Sequence, residues 1–260
     1  MLSEDFIPPE QKEYKNASPF QHICIKNMWN GKVLNEIASS LEDFDDWDGE
    51  KEFYGASAKR WCSTWNKLPK KVSDFIHYMS SPEFIEIIEN MTGEQGLIPD
   101  PYLEGAGIHS ISAGGFLKMH VDFNWHKKLR LYRRLNLLVY LNPDWDEAWA
   151  GDLRLAVNSE DGSLNNERSI FPHMNTTVVF TTDEISLHGH PEPLVCPQGE
   201  KRNSIALYYY VAQLPSEMDT DQRTNTLYST SLGKPVGFTK KVSYMVKSKV
   251  RNLTGVFFRR

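Results

Sequence analysis

The residues that could do chemistry in this sequence centre on a histidine and an aspartate separated by one residue, His120 and Asp122. Side chains alternate along a β-strand, so residues two apart share a face, and this imidazole and carboxylate would point the same way. A second histidine, His188, lies at the end of another predicted strand. Imidazole and carboxylate groups are metal ligands, so the three residues predict a metal site.

The composition of this ligand set indicates the kind of metal site. Two histidines and one carboxylate leave coordination positions open, which is typical of non-haem Fe(II) oxygenases. Closed structural zinc sites use four protein ligands, commonly thiolates. The three cysteines of this chain are far apart and form no C-x-x-C motif, so they do not fit such a site. His190 would share a strand face with His188, so periodicity alone leaves open which of the two is the ligand.

A second group of residues could bind an anion. On a strand, Arg202 and Ser204 share a face and offer a guanidinium and a hydroxyl to one carboxylate. Asn136 and Tyr140 fall on one face of the strand predicted over 135–141. Further candidates for contact with a substrate lie in the loop after the ligand pair, before the next strand or beside His188: Asn124, Trp125, His126, Arg133 and His190.

The elements that must position these residues change character along the chain. Helical patterns occupy 33–41, 72–79 and 81–91, and the acidic stretch 42–52 is expected to be a solvated loop. From about residue 105, short runs rich in Ile, Leu, Val, Phe and Tyr alternate with turn residues, which predicts a double-sheet jelly roll. The predicted strands are 107–112, 115–122, 135–141, 153–157, 176–180, 185–188 and 205–211.

The predicted fold class is therefore mostly β with packed helices, built on a double-stranded β-helix (jelly roll, cupin-like) core. Residues 1–104 are expected to be an N-terminal α/β support region of the same domain, and 105–213 the catalytic core. Residues 214–260 are expected to be a polar and then basic extension. The net charge of -5 divides unequally, because 234–260 carries eight Lys and Arg and no acid, which leaves -5 - 8 = -13 for the rest.

Composition excludes several classes of protein. No run approaches the ~20 apolar residues that cross a membrane, and the first fifteen residues lack the apolar segment of a secretion signal. The net negative charge argues against a nucleic-acid-binding chain. An odd number of widely spaced cysteines argues against a disulfide framework. These features predict a cytoplasmic protein with neither a membrane nor a nucleic acid as partner.

Several motifs together resemble a known family. They are Gly114-Gly115-Phe116-Leu117-Lys118-Met119-His120-Val121-Asp122-Phe123-Asn124, then Arg133-Arg134-Leu135-Asn136, Tyr140-Leu141-Asn142, Ser186-Leu187-His188-Gly189-His190-Pro191 and Arg202-x-Ser204-Ile205. Their order and approximate spacing resemble the prolyl 4-hydroxylase-like branch of the Fe(II)/2-oxoglutarate-dependent dioxygenases. The resemblance covers roughly 105–212. Ala150-Gly151 departs from the paired glycines usual in this family.

The resemblance implies a role for each matching residue. His120, Asp122 and His188 would hold Fe(II), and Arg202 would bind the distal carboxylate of 2-oxoglutarate, with help from Tyr140, Ser204 and Asn136. The expected reaction is hydroxylation of an unactivated C–H bond with O2, with succinate and CO2 as co-products. The expected substrate is a prolyl residue in a peptide or a small molecule.

Two other functions are compatible with parts of this pattern. One is a non-catalytic jelly-roll binding module, although such a module has no physical need for the full set of metal and carboxylate-binding residues. The other is a zinc hydrolase, in which the same ligands activate a water molecule. Arg202 argues against the hydrolase, because hydrolysis needs no residue that binds a co-substrate carboxylate.

Overall fold

The computed structural model describes residues 1–158, 164–214 and 222–228. The basic segment 234–260 and most of the predicted C-terminal extension lie outside these ranges. The described part is dominated by one 13-stranded antiparallel sheet that curls on itself, with four α-helices packed against it. The prediction of a mostly β fold is confirmed. Within the described ranges, no helix is both long and apolar enough to cross a membrane.

The helices are α1 (Gln11–Lys15), α2 (Gly31–Ser39), α3 (Lys70–Met79) and α4 (Pro82–Thr92), with a 3-10 turn at Glu147–Trp149. The first six strands are β1 (His22–Lys26), β2 (Gly49–Phe53), β3 (Ala56–Cys62), β4 (Ile98–Pro99), β5 (Gly107–Val121) and β6 (Trp125–His126). The other seven are β7 (Leu131–Tyr140), β8 (Leu153–Asn158), β9 (Leu164–Ile170), β10 (Thr176–Thr181), β11 (Leu187–His190), β12 (Lys201–Val211) and β13 (Leu227–Tyr228).

The long strand β5 organises the sheet. Its first half pairs with β12 up to Ser112, and its second half pairs with β11 from Leu117 onward. Between these halves, Gly114 has φ +78°, a conformation that favours glycine because it has no Cβ. The two strands predicted over 107–112 and 115–122 are therefore one continuous strand that changes partners, which is a correction. This change of partner brings His120 and Arg202 to the inside of the same curled sheet.

The three longer helices cover the outer face of the sheet. Alternation along β7 places Leu135, Leu137 and Val139 in the main apolar core, which also contains the buried faces of α2, α3 and α4. Asn136 and Tyr140 point to the opposite, inner face. Each predicted helix is present within two or three residues of its expected bounds. The N-cap of α4 is Ser81, whose side chain accepts a hydrogen bond from the backbone N–H of Phe84 (3.4 Å).

The first hundred residues contribute strands to the same sheet. Strand β1 pairs with β10, and β3 pairs with β5, so that β2 and β3 extend the sheet beyond the core strands. The expectation of a solvated loop over 42–52 is wrong for its last four residues, because β2 begins at Gly49. The cause is pairing with β3, which lies several residues away and is not visible in the local charge pattern.

Candidate functional site

His120, Asp122 and His188 converge at the inner face of the sheet. Their ligand atoms all lie within 4.8 Å of one another. Strand register explains this, because β11 places His188 directly opposite His120 on β5, and Asp122 follows two residues later on the same face. The carboxylate of Asp122 lies 3.5 Å from Nε2 of His120 and 3.1 Å from Nε2 of His188. One atom bound between them would therefore contact all three side chains.

The hydrogen bonds behind the two histidines fit a metal ion. Nδ1 of His120 lies 2.8 Å from the carbonyl of Lys118, and Nδ1 of His188 lies 3.0 Å from the carbonyl of Ser186. A carbonyl only accepts, so both Nδ1 atoms carry the proton and both Nε2 atoms present lone pairs. Burial, followed by the neighbouring His188, lowers the pKa of His120 to about 4. Its imidazole is thus neutral at pH 7, as a metal ligand must be.

The Asp122 carboxylate is held ionised by its surroundings. Its Oδ2 accepts hydrogen bonds from Nη2 of Arg133 (2.7 Å) and Nδ2 of Asn136 (2.9 Å). Burial by itself would raise the pKa of Asp122, but the positive charge of Arg133, with further contributions from the neighbouring histidines, outweighs it and holds this pKa well below its ordinary value. Arg133 was expected only to contact the substrate. In the structure its guanidinium pairs with Asp122 and packs 3.2 Å from the ring centroid of Tyr208.

Arg202 sits deeper in the same cavity. Its Nε donates to the carbonyl of Gly151 (2.6 Å), and its Nη2 donates to the hydroxyl of Tyr140 (3.1 Å). Gly151 has φ +81°, and a Cβ there would lie 2.6 Å from Leu194 and 3.2 Å from Arg202. Ala150-Gly151 stands where the family usually has two glycines. It thus keeps a glycine at the second position, where the close approach to Arg202 requires one. Ser204, two residues along β12, also faces the cavity.

The triad and Arg202 line one cavity of about 130 Å³. Apolar walls come from Ile111, Leu138, Leu153 and Phe180. The predicted co-substrate residues Asn136 and Ser204 line it as well, and Tyr140 lies behind Arg202 as its hydrogen-bond partner. His190 also lines this cavity, and neither of its ring nitrogens has a hydrogen-bond partner within the described residues.

Three of the candidate substrate residues lie elsewhere. Asn124, Trp125 and His126 are not among the described residues that line this cavity. Nδ2 of Asn124 donates to Glu184 (3.0 Å) and its Oδ1 accepts from the backbone N–H of Arg223 (2.7 Å). Trp125 packs edge-on against Tyr132, and His126 is fully buried beside Asp100. These side chains anchor the loop that follows Asp122.

Several cavity residues were not predicted from the sequence. Lys51 and Lys59 enter from β2 and β3, His109 from the first half of β5, and Tyr228 from β13. The ring of Tyr228 lies 5.3 Å from that of His120, because the two residues pair across β13 and β5. The alternation of side chains in 56–62 would have placed Lys59 on one face of a strand. No feature of the local sequence indicates that this face lies against a metal site.

A protein-family comparison matches residues 106–210 to the model described as the 2OG-Fe(II) oxygenase superfamily. A comparison with curated proteins finds no match. Among solved structures, the chain resembles a Trichoplax adhaerens prolyl hydroxylase solved with a peptide fragment of the hypoxia-inducible-factor oxygen degradation domain. The TM-score is 0.53 at 18% identity, over 77% of this chain and 87% of the other.

Two other solved structures have the same fold. A Pseudomonas putida prolyl-4-hydroxylase gives a TM-score of 0.51 at 15% identity, over 73% of this chain and 92% of the other. HygX from Streptomyces hygroscopicus, solved with nickel, 2-oxoglutarate and hygromycin B, gives 0.54 at 11% identity, over 83% and 95%. The predicted jelly-roll core is confirmed by this shared fold.

Proposed function

From the premise that residues 106–210 are a domain of the 2OG-Fe(II) oxygenase superfamily, we propose that His120, Asp122 and His188 hold Fe(II) and that Arg202 binds 2-oxoglutarate. The protein is an Fe(II)- and 2-oxoglutarate-dependent oxygenase, and we propose that it belongs to the prolyl 4-hydroxylase-like branch that its sequence motifs resemble. The residue roles are supported by one observation above all: the two histidines, the ionised carboxylate of Asp122 and a buried arginine line a single cavity.

When bound, Fe(II) and 2-oxoglutarate supply the oxidising chemistry, in which O2 is consumed, succinate and CO2 are released, and one oxygen atom enters a substrate C–H bond. The chain's own residues fix the positions of these groups. The carbonyls of Lys118 and Ser186 hold the two imidazoles with Nε2 facing inward. Arg133 and Asn136 hold Asp122 ionised and oriented.

The co-substrate end of the cavity is built for a carboxylate. Because Tyr140 accepts a hydrogen bond from Arg202, its own hydroxyl proton is free to be donated to the same carboxylate that the guanidinium binds. Tyr140 is fully buried and Arg202 is 5% exposed, so this pairing takes place away from bulk water. A hydrolase using the three metal ligands would have no use for this pair.

We propose a prolyl residue in a peptide, or a small molecule, as the substrate. The structurally similar T. adhaerens enzyme was solved with a peptide, and HygX was solved with hygromycin B, so this fold accommodates both kinds of ligand. The cytoplasmic location stays a prediction, which rests on the three cysteines being free.

The direct test is to supply the purified protein with Fe(II), 2-oxoglutarate and O2 and to measure succinate. We expect slow turnover without substrate, and loss of that turnover in Asp122→Ala. Arg154→Ala is a matched surface control, because Arg154 lies outside the cavity and pairs with Asp152 and Glu192. Absence of iron binding, of 2-oxoglutarate binding and of succinate in the wild type would contradict the proposed function.

A further inference from the structure

The cavity carries an excess of positive charge. Its lining contains four cationic side chains, Lys51, Lys59, Arg133 and Arg202, and one carboxylate, Asp122, for a formal balance of 4 - 1 = +3. Fe(II) and doubly ionised 2-oxoglutarate carry equal and opposite charges, so their binding leaves this balance unchanged. The excess is local, because the chain outside 234–260 has a net charge of -13.

Two of the four cationic side chains already have partners. Arg133 is paired with Asp122, and Arg202 is hydrogen-bonded to Gly151 and Tyr140. Lys51 and Lys59 are different, because within the described residues neither makes an ion pair or a hydrogen bond through its ammonium group. The ammonium of Lys51 lies 5.5 Å from the ring centroid of Trp61, and Lys59 is only 9% exposed.

The two lysines face each other directly across β2 and β3. Like charges at directly opposed positions destabilise a strand pair. The neighbouring pair in the same ladder, Glu50 and Arg60, lies on the opposite face and is complementary, with the two groups 3.1 Å apart. The outer face of this hairpin is therefore neutralised, whereas the inner face presents two like charges to the cavity.

Electrostatics within the hairpin favour an anion between the two lysines. Burial, and after it the ammonium of Lys51, lower the pKa of Lys59 to about 7, and burial also lowers the pKa of Lys51. Lysines are almost never this buried without a partner, because removing an ammonium from water is costly. An anion placed between the two groups would offset both the burial and their mutual repulsion.

The lysine pair enters the cavity from strands that lie beyond β5 from Arg202. Lys59 pairs across the sheet with Ile111, and Ile111 pairs with Arg202, so two strand spacings separate Lys59 from Arg202, or about 10 Å between backbones. Both lysines also precede the segment 106–210 that matches the oxygenase family. The two lysines therefore lie outside the family match, in the part of the chain where residues that select a substrate particular to this protein can occur.

We propose that Lys51 and Lys59 form a binding site for an oxyanion of the substrate, a carboxylate or a phosphate, and that this enzyme therefore acts on an anionic substrate. The proposal rests on the proposed function, since it assigns the substrate class of the same cavity. The pair would hold the anion while the C–H bond to be oxidised faces the metal ligands.

The test uses oxygen-free enzyme loaded with Fe(II) and 2-oxoglutarate, so that the Arg202 site is filled. Sodium sulfate is the probe, titrated by calorimetry at constant ionic strength and pH 6.5. We expect saturable binding to the wild type, and an affinity at least about tenfold weaker (about 1.4 kcal/mol) in the double variant Lys51→Met/Lys59→Met. Arg60→Met is the matched control: it removes one positive charge from the same hairpin but on the opposite face, and should leave sulfate binding unchanged.

A second measurement identifies the source of the anion. Pairs of candidate substrates that differ only in one group, a free carboxylate against its amide or a phosphorylated against an unphosphorylated form, are compared by succinate release above the uncoupled rate. We expect only the anionic member of a pair to stimulate the wild type, and this stimulation to be lost in the double variant. Stimulation by the neutral member alone would overturn the proposal.

Two further outcomes would overturn the inference without affecting the proposed function. One is a wild type that binds Fe(II) and 2-oxoglutarate normally but shows no sulfate binding. The other is a double variant whose 2-oxoglutarate affinity falls as much as its sulfate affinity, which would assign the lysines to the co-substrate. Iron content and 2-oxoglutarate binding are measured on every sample, so a failure of the oxygenase assignment or of folding is recognised separately.

Discussion

Replacing Arg202 with methionine tests the co-substrate site directly. Methionine keeps most of the side-chain length but has no charge and no donor. Arg202 is 5% exposed, and its guanidinium donates to Gly151 and Tyr140 and lies 4.9 Å from the ring centroid of Tyr140. Within the described residues it makes no hydrogen bond or ion pair with the proposed metal ligands, so the variant should retain Fe(II) at the wild-type level.

The expected loss of 2-oxoglutarate affinity follows from the burial of this pair. Removing one partner of a buried, hydrogen-bonded charge pair costs about 2–5 kcal/mol, which corresponds to an affinity about 30-fold to about 4,000-fold weaker. Tyr140→Phe removes one neutral donor, worth about 0.5–1.5 kcal/mol, and should weaken binding only about twofold to twelvefold. Arg202→Met should therefore weaken 2-oxoglutarate binding more than Tyr140→Phe does.

The assay is calorimetric titration of 2-oxoglutarate into oxygen-free, Fe(II)-loaded enzyme, with thermal melting as a check on folding. Arg154→Met serves as the matched control, because it removes an arginine that pairs with Asp152 and Glu192 outside the cavity. If Arg202→Met kept its 2-oxoglutarate affinity within threefold of the wild type, or if Tyr140→Phe lost more than Arg202→Met, the carboxylate would be bound elsewhere.

Three further predictions concern the metal ligands and the buried lysine. His188→Ala should reduce the iron content per chain by at least roughly tenfold, whereas His190→Gln should not. Equal losses of iron in the two variants would show that the choice of His188 as the ligand is wrong. Arg133→Met should weaken Fe(II) affinity by about 10–100-fold, since it removes a donor that orients Asp122, and unchanged affinity in a metal titration would refute that role. Burial lowers the pKa of Lys59 from 10.5 to about 7 in the folded protein, so its ammonium destabilises the fold by up to about 5 kcal/mol below pH 7, and this destabilisation disappears above pH 10.5. Lys59→Met should therefore raise the free energy of unfolding most below pH 7, with the gain fading as the pH rises toward 10.5, and a gain independent of pH in denaturant titrations would contradict this.

The proposed metal ligands could be predicted from the sequence because their signal is local. Strand alternation puts His120 and Asp122 on one face whatever the rest of the chain does. Periodicity could not choose between His188 and His190, and the family motif favoured His188. The structure supplies a physical reason, because register places His188 opposite His120 and within 3.1 Å of Asp122, whereas His190 lies farther along the cavity wall.

The fold class was also accessible from pattern, since short apolar runs separated by turn residues predict a jelly roll. The sequence pattern predicted the wrong element where pairing with another segment of the chain decides the structure. Residues 49–52 look like the end of an acidic loop, yet pairing with β3 makes them a strand. Similarly, the two strands expected over 107–122 are one, because Gly114 allows a single strand to serve two partners.

The sequence by itself predicted the reaction class, the proposed metal ligands and the arginine proposed to bind the co-substrate, because each prediction depends on residue type and on spacing within single strands. Only the tertiary structure decided what surrounds them. Arg133 on β7 reaches Asp122, although β12 lies between β7 and β5 in the sheet. Lys51 and Lys59 enter the cavity from a hairpin more than fifty residues before the proposed ligands. Such neighbours are set by the order and register of strands in the sheet, and no local periodicity encodes them.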